Sequence, residues 1–249
     1  VRNLFFIVEV MLINLPENFP AIELLKQQNI ATTPFISIGK KKKDALRVAV
    51  LNLMPLKIET EADILRLLLY SPLPIKVDFI WIENHTPKNT PLQHIKDYYK
   101  PFSSIITERY DGFIVTGAPV ELIPFEEVTY WNELQKIFLR TRRPPRSTLY
   151  ICWGAQAALY HFYQIPKYPL KRKLLGIYPH TANDSSHLLF RGFNDEFYVP
   201  HSRHTTILEA DIAKQPQLDV LSTSIEAGVY IVGNNKNDFF ITGHSEYAP

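Results

Sequence analysis

STLYICWGAQAALYHFY, residues 147–163, runs from an apolar β-rich stretch into a segment of alanines and aromatics, and the join falls at Cys152. Residues 147–153 suit a strand and residues 154–163 a helix, so Cys152 sits at a strand-to-helix turn. The small residues Gly154, Ala155, Ala157 and Ala158 permit a tight bend and close packing of helix on sheet. Upstream, ALRVAVLNL (45–53) is a nearly continuous aliphatic run that suits a strand buried on both faces. Residues 57–69 follow with Ile58, Ala62, Leu65, Leu68 and Leu69 at helical spacing. The alternation continues with a strand at 75–81, an irregular polar stretch from Glu83, a strand at 112–117 and a helix over about 129–140. Strands alternating with helices of this length predict an α/β fold of three layers around a mostly parallel sheet. Beyond Lys173 the pattern is less regular, with short candidate strands at 197–199, 218–221, 228–232 and 239–242. Hairpins and a strand returning to the sheet both fit there.

The chain has 249 residues, 46% of them hydrophobic, and a formal net charge of +2. That balance predicts one ordinary globular domain and lacks the basic footprint of a nucleic-acid binder. The lysine run at 40–43 reads as a solvated loop, and the nineteen prolines as loop punctuation. No stretch is apolar and long enough to span a membrane. Residues 1–12 briefly look like a signal-peptide core, but Glu9 interrupts them and no small-residue cleavage site follows. A single cysteine permits no intramolecular disulfide, which fits a reducing compartment, and a cytoplasmic location is expected.

That cysteine is the first candidate for chemistry. At a turn of this kind the side chain lies at the carboxyl edge of the sheet, where open α/β folds bind ligands, and at a helix N-terminus, where the dipole favours a thiolate. A lone cysteine is also commonly a small buried hydrophobe. Among eight histidines, His244 follows the apolar run FFITG and precedes Glu246 by two residues. If extended geometry persists past Gly243, both side chains point one way, and Glu246 orients His244 toward Cys152. His161, His180, His187, His201 and His204 compete for the role of base. No histidine pair has a convincing third ligand, His201 and His204 included, and no metal is expected.

Five strings then act together: LNLMPLKIETE (51–61), VTGAPVELIPFEEVTYW (115–131), TLYICWGAQAALYHFYQIPKYPL (148–170), RGFNDEFYVPHSRHT (191–205) and FFITGHSEY (239–247). In this order they resemble the homoserine O-acyltransferase family of methionine biosynthesis, from Met11 to Tyr247. The resemblance implies a class I glutamine-amidotransferase-like (flavodoxin-like) fold and a catalytic set falling on Cys152, His244 and Glu246. It implies homoserine binding by Lys173 and Ser202, and an acyl-CoA site close to Lys57. In the family a glutamate in the segment after GAPV accompanies acetyl-CoA and a glycine accompanies succinyl-CoA; this chain has Glu121, whose charge would repel the extra carboxylate of a succinyl group.

The expected reaction is therefore acetyl transfer from acetyl-CoA, as co-substrate, to the hydroxyl of L-homoserine. It would proceed through an acyl-Cys152 whose oxyanion meets backbone N–H groups, that of Trp153 among them. No cofactor is expected, and the family's habit suggests a homodimer. Succinyl transfer, hydrolysis or amide transfer on the same fold, and an inactive fragment are the alternatives. The chain departs from the family at Leu56, where a second lysine is usual, at Ser245, where proline is usual, and over 140–146. Residues 1–10 read as an extension ahead of the family's start, with 11–249 as a single acyltransferase domain. The expected domain lacks a C-terminal segment and the arginine it would carry for the homoserine carboxylate.

Overall fold

Val48 and Val50 face one layer of the molecule while Ala49 and Leu51 face the other, and this alternation within one buried strand sets up three layers. The structure, a computed structural model, describes residues 13–16, 18–30, 45–142 and 147–247. The lysine run 40–43, residues 1–10 and the prolines at 144 and 145 lie outside them. In chain order the elements are β1 (Ile13–Asn14), α1 (Ala21–Gln27), β2 (Leu46–Leu51), α2 (Lys57–Leu68), β3 (Ile75–Trp81), α3 (Leu92–Tyr98), β4 (Tyr99–Pro101), β5 (Gly112–Val115), α4 (Trp131–Thr141), β6 (Ser147–Ile151), α5 (Trp153–Tyr163), β7 (Tyr168–Ala182), β8 (Glu196–Thr206), α6 (Glu209–Ile212), β9 (Leu218–Ser224), β10 (Gly228–Asn234) and β11 (Asp238–Ile241).

One sheet runs β1-β3-β2-β5-β6-β11-β10-β9-β7-β8, with β4 also paired to β3. From β1 to β11 every pairing is parallel; from β11 outward every pairing is antiparallel. Helices α1, α2 and α3 cover one face through Leu25, Ile64, Leu65 and Ile95. Helices α4 and α5 cover the other through Leu134, Phe138, Ala155 and Leu159, each with no more than a trace of exposed surface. The α/β architecture predicted from the sequence is present. The stretch after Glu83, read as irregular, contains α3 and β4, because Ile95 and Tyr99 bury themselves at α2 across a gap too short to show periodicity.

Both options left open for the C-terminal third are realised. β11 returns beside β6 in parallel register, Ile241 opposite Ile151, while β7 and β8 form a long antiparallel pair. The β7–β8 register breaks between Pro169 and Leu174, so Lys173 lies in an interruption of the ladder. Among the described residues no helix is long and apolar enough to cross a membrane.

Candidate active site

The side chains of interest gather at the carboxyl ends of β6 and β11, where the parallel and antiparallel halves of the sheet meet. Cys152 leaves β6 and caps α5 with φ +50° and ψ −117°. For a residue bearing a Cβ this is a strained conformation, costing about 1–3 kcal/mol. Its backbone is fixed on both sides: the N–H donates to Ile241 O at 2.7 Å, and its carbonyl accepts from Ala155 and Gln156 N–H at 3.1 and 3.2 Å. Helix α5 can start so abruptly because Gly154 lies against β5, where a Cβ would come within 2.5 Å of the Thr116 carbonyl oxygen. The consequence is a buried thiol, 4% exposed, at the start of a helix whose first N–H groups have no partner within the helix.

His244 follows β11 within a turn, so the extended geometry expected past Gly243 is absent. The His244–Glu246 pairing forms nonetheless, with Nδ1 2.6 Å from Glu246 Oε1, because a tight turn brings the two together. Nδ1–H donates to the carboxylate, which leaves Nε2 for the thiol. Burial alone would lower the imidazole's affinity for a proton. Hydrogen bonds to Cys152 and Glu246, with the negative charge of both, outweigh it and raise His244 to about 10. The imidazolium is the favoured form.

The residues around His244 in this turn are tied down. Thr242 bonds to Tyr230 and Val229 carbonyls at 2.9 and 2.7 Å, and His244 N–H donates to Pro200 O at 2.9 Å. The Ser245 hydroxyl lies 2.6 Å from Tyr230 OH, and Arg66 donates to the Glu246 carbonyl at 2.5 Å. Tyr247 stacks on the His244 ring with centroids 4.2 Å apart. Nothing local in the sequence marks Arg66, Tyr230 or Tyr247 as partners of the base; Arg66 is 180 positions away from Glu246.

The thiol opens into a cavity of about 370 Å³ lined by Glu121, Lys173, Ser202, His204 and His244. Glu121 spans its wall, with one carboxylate oxygen 3.6 Å from Cys152 Sγ and the other accepting the His204 N–H at 2.8 Å. Lys173 is exposed and Ser202 half-buried on neighbouring strands β7 and β8. Trp153 buries its whole side chain, so only its backbone N–H is available at the helix start. Lys57, by contrast, is buried at the first turn of α2. Its ammonium donates to the Asn52 and Met54 carbonyls at 2.6 and 3.3 Å, and burial pulls it down to about 8 against the opposing charge of Glu61. It lines a second cavity, which shares Met54, Pro55, Pro119 and Val120 with the first.

Four of the competing histidines are engaged elsewhere, while His204 lines the cavity itself. His180 and His201 stack with Nε2 atoms 3.1 Å apart, and burial followed by the charge of Arg203 pushes His201 down to about 3. His161 packs against Phe138, and His187 accepts the Leu189 N–H. His204 contributes its backbone amide. Among the described residues no group of three or more His, Cys, Asp or Glu stands ready to hold a metal.

Comparison with known proteins fits this geometry. The profile of the family described as Homoserine O-succinyltransferase matches residues 12–249. A protein named homoserine O-acetyltransferase from Parabacteroides distasonis is 53% identical over 240 residues, covering 96% of this chain and 77% of that protein. A protein of the same name from Desulfitobacterium hafniense is 49% identical over 244 residues, covering 96% and 78%. Among solved structures, a glutamine amidotransferase from Thermotoga maritima has a TM-score of 0.56 at 17% identity, over 82% of this chain and 77% of that one. A glutamine amidotransferase from Methylobacillus flagellatus has a TM-score of 0.53 at 11% identity, over 82% and 71%. At such identities the structural likeness concerns the fold alone, which is that of the class I glutamine amidotransferases.

Proposed function

This chain belongs to the homoserine O-succinyltransferase family, and we propose that within it the chain transfers an acetyl group from acetyl-CoA to the hydroxyl of L-homoserine through an acyl-Cys152. The observation that carries the reading is the buried Cys152 at its strained turn, lining one cavity with a His244 that Glu246 orients at 2.6 Å. His244 takes the proton of Cys152 and so forms the thiolate and an imidazolium. The thiolate attacks the thioester carbonyl, the C–S bond to coenzyme A breaks, and the departing sulfur takes the His244 proton. Neutral His244 then removes the proton from the homoserine hydroxyl as its oxygen attacks the acyl-enzyme. Cys152 leaves as the thiolate, O-acetyl-L-homoserine is formed, and the imidazolium is restored.

Both tetrahedral intermediates carry an oxyanion, and the N–H of Trp153 at the start of α5 is the donor best suited to it. Lys173 serves the substrate carboxylate as a point charge and Ser202 adds a hydrogen bond, both on the cavity's β7–β8 side. Glu121 supports acetyl over succinyl: its carboxylate, held by the His204 N–H beside the thiol, would oppose the free carboxylate of a succinyl group. The chemistry calls on no resident cofactor, and a lone nucleophilic thiol fits the reducing conditions of the cytoplasm, where we place the enzyme.

Incubation with acetyl-CoA alone, followed by intact-protein and peptide mass spectrometry, tests the reading. One acetyl group is expected on Cys152, lost on addition of homoserine and never formed in Cys152→Ala. An adduct retained by that variant overturns the assignment. Faster labelling by succinyl-CoA than by acetyl-CoA overturns the role given to Glu121.

A further inference from the structure

Glu121 stands on a turn, residues 119–124, that follows β5 and passes beside Cys152 before Phe125 enters the core. The turn's own bonds are local: Val120 N–H donates to Ala118 O at 2.9 Å and Ile123 N–H to Val120 O at 3.1 Å, while Leu122 is largely exposed. A segment with so few buried contacts opens easily unless something outside it holds it. Among the described residues two nitrogen donors from elsewhere in the chain reach it. They are the His204 N–H at the Glu121 carboxylate, 2.8 Å, and Lys167 Nζ at the Ile123 carbonyl, 2.6 Å. Lys167 is half-buried in the connection between α5 and β7. Its ammonium lies 4.2 Å from the centre of the Phe125 ring, which stacks on Tyr160 of α5 with centroids 4.7 Å apart. Tyr160 OH donates in turn to the Glu126 carboxylate. Burial pulls the Lys167 ammonium down to about 8, against the opposing charges of Glu121 and Glu126. A lysine that only covered an aromatic ring would keep its head in water. This one gives its head to a carbonyl two residues from Glu121. Helix α5 thus carries Cys152 at its start and, through Tyr160 and the lysine beyond its end, grips the segment that carries Glu121.

We propose that Lys167 is a positioning residue for donor choice, holding the turn at Ile123 so that the Glu121 carboxylate stays beside the Cys152 thiol. The inference rests on the role given to Glu121 above. Repulsion of a succinyl carboxylate depends on where the opposing charge stands, and it weakens once that charge can swing toward water. The His204 N–H holds the side chain of Glu121; Lys167 holds the backbone that delivers it. An acetyl group has no charge to meet Glu121, so release of the turn affects succinyl transfer more than acetyl transfer.

Rates of Cys152 acylation by acetyl-CoA and by succinyl-CoA, followed by intact-protein mass spectrometry, give a donor ratio for each full-length protein. The proteins compared are the parent, Lys167→Met, Lys167→Gln, Lys167→Arg, Glu121→Gln and the double variant Glu121→Gln/Lys167→Met. A lysine that merely stabilised the fold would change both rates together and leave the ratio alone. Expected is a ratio of acetylation to succinylation lowered about tenfold in Lys167→Met, the size of one lost charged hydrogen bond. Lys167→Gln removes the charge with a polar chain and carries the same expectation, so it replaces the methionine variant if that protein does not fold. Lys167→Arg keeps a charged donor and should retain most of the ratio. In the Glu121→Gln background, Lys167→Met should lower the ratio no further, because the two residues act through one carboxylate. A ratio lowered in Glu121→Gln but unchanged in the lysine variants, or lowered again in the double variant, overturns the inference and leaves the role of Glu121 standing. A ratio unchanged in Glu121→Gln overturns that role and this inference with it. A parent whose Cys152 accepts neither acyl group removes the proposed function as well.

Discussion

The two halves of the sheet hold their parts of the site by different means. In the parallel half, Cys152 is fixed by backbone: strand register, the bond to Ile241 and the contact of Gly154 with the Thr116 carbonyl. In the half beyond β11, His244 is fixed by side chains: Glu246 at its ring, Tyr230 at Ser245, Tyr247 over its face and Arg66 reaching across from α2. The difference separates two tasks. The nucleophile needs one rigid position at a helix start. The base must hold a proton at one moment and release it at the next, and polar side chains around it set that balance.

The largest effect is expected where the base is tuned. Glu246→Gln keeps the shape but removes the charge and permits the wrong tautomer, and kcat should fall about ten-thousandfold, as for the orienting carboxylate of a catalytic triad. His244 should also lose part of its raised proton affinity, by about one pH unit or more. An NMR titration of the His244 ring reads this directly; a ring that still titrates near 10 would remove Glu246 from the account. The same shift bears on stability. Because the folded-state value is raised from 6.5 to about 10, the protonated ring contributes its full stabilisation below pH 6.5 and loses it as pH rises through about 10. Urea unfolding at neutral pH and above pH 10 should show a larger difference in the parent than in Glu246→Gln.

Next come two glycines, one on each side of the comparison. A Cβ at Gly154 meets backbone atoms, 2.5 Å from Thr116 O and 3.1 Å from Val115 O, which cannot yield without moving a strand. A Cβ at Gly243 meets side-chain atoms of Val199, Tyr230 and His201 at 2.7 to 3.1 Å, which can turn aside in part. Gly154→Ala should cost about 2–3 kcal/mol and Gly243→Ala about 1 kcal/mol, measured by urea unfolding. Equal losses would mean that backbone and side-chain fixation are not different in kind.

The same division explains what the sequence makes legible. Apart from α3 and β4, the parallel half reads directly from residues 45–163 because each βα unit buries neighbouring residues, and its periodicity is local. Cys152 could be singled out there because the elbow is written in one short string. The antiparallel half is less legible: β7 has a broken register and mixed exposure, and β8 is longer than its apolar core at 197–199 suggests. His244 and Glu246 emerged as neighbours, but through an extended geometry that a turn replaces. Arg66 and Tyr230 carry no local mark because their partners are set by topology. Lys57, read as lying close to the acyl-CoA site, is buried at carbonyl groups that no local pattern marks.

Arg66 crosses between the halves. It donates to Glu246 O, to Asp63 at 2.9 Å and to Gln28 at 3.2 Å, so it ties the catalytic turn to α2 and α1. Arg66→Met leaves the Glu246 carbonyl without this donor, and kcat should fall about tenfold. Arg66→Lys should recover part of that loss, since a point charge can reach one acceptor but not hold all three. Full activity in Arg66→Met would leave the two halves of the site independent of this link.

The smallest effect concerns Tyr230, and it separates holding the base from building the core. Tyr230→Phe removes one hydroxyl and keeps the ring that packs against Gly243 and lies 4.8 Å from the His180 ring. The lost bond, 2.6 Å to Ser245, lies in the residue between base and orienting acid. A neutral hydrogen bond contributes about 0.5–1.5 kcal/mol, so stability should fall by no more than that. Full expression of the loss in the transition state would lower kcat by about threefold to tenfold. The homoserine KM should stay unchanged, because Lys173 and Ser202 stand on other strands. The discriminating readout is the ratio of the two losses. A fall in kcat matched by a fall in the His244 titration midpoint identifies Tyr230 as a positioning residue for the base, whereas a fall in stability alone would return it to the core of the antiparallel half.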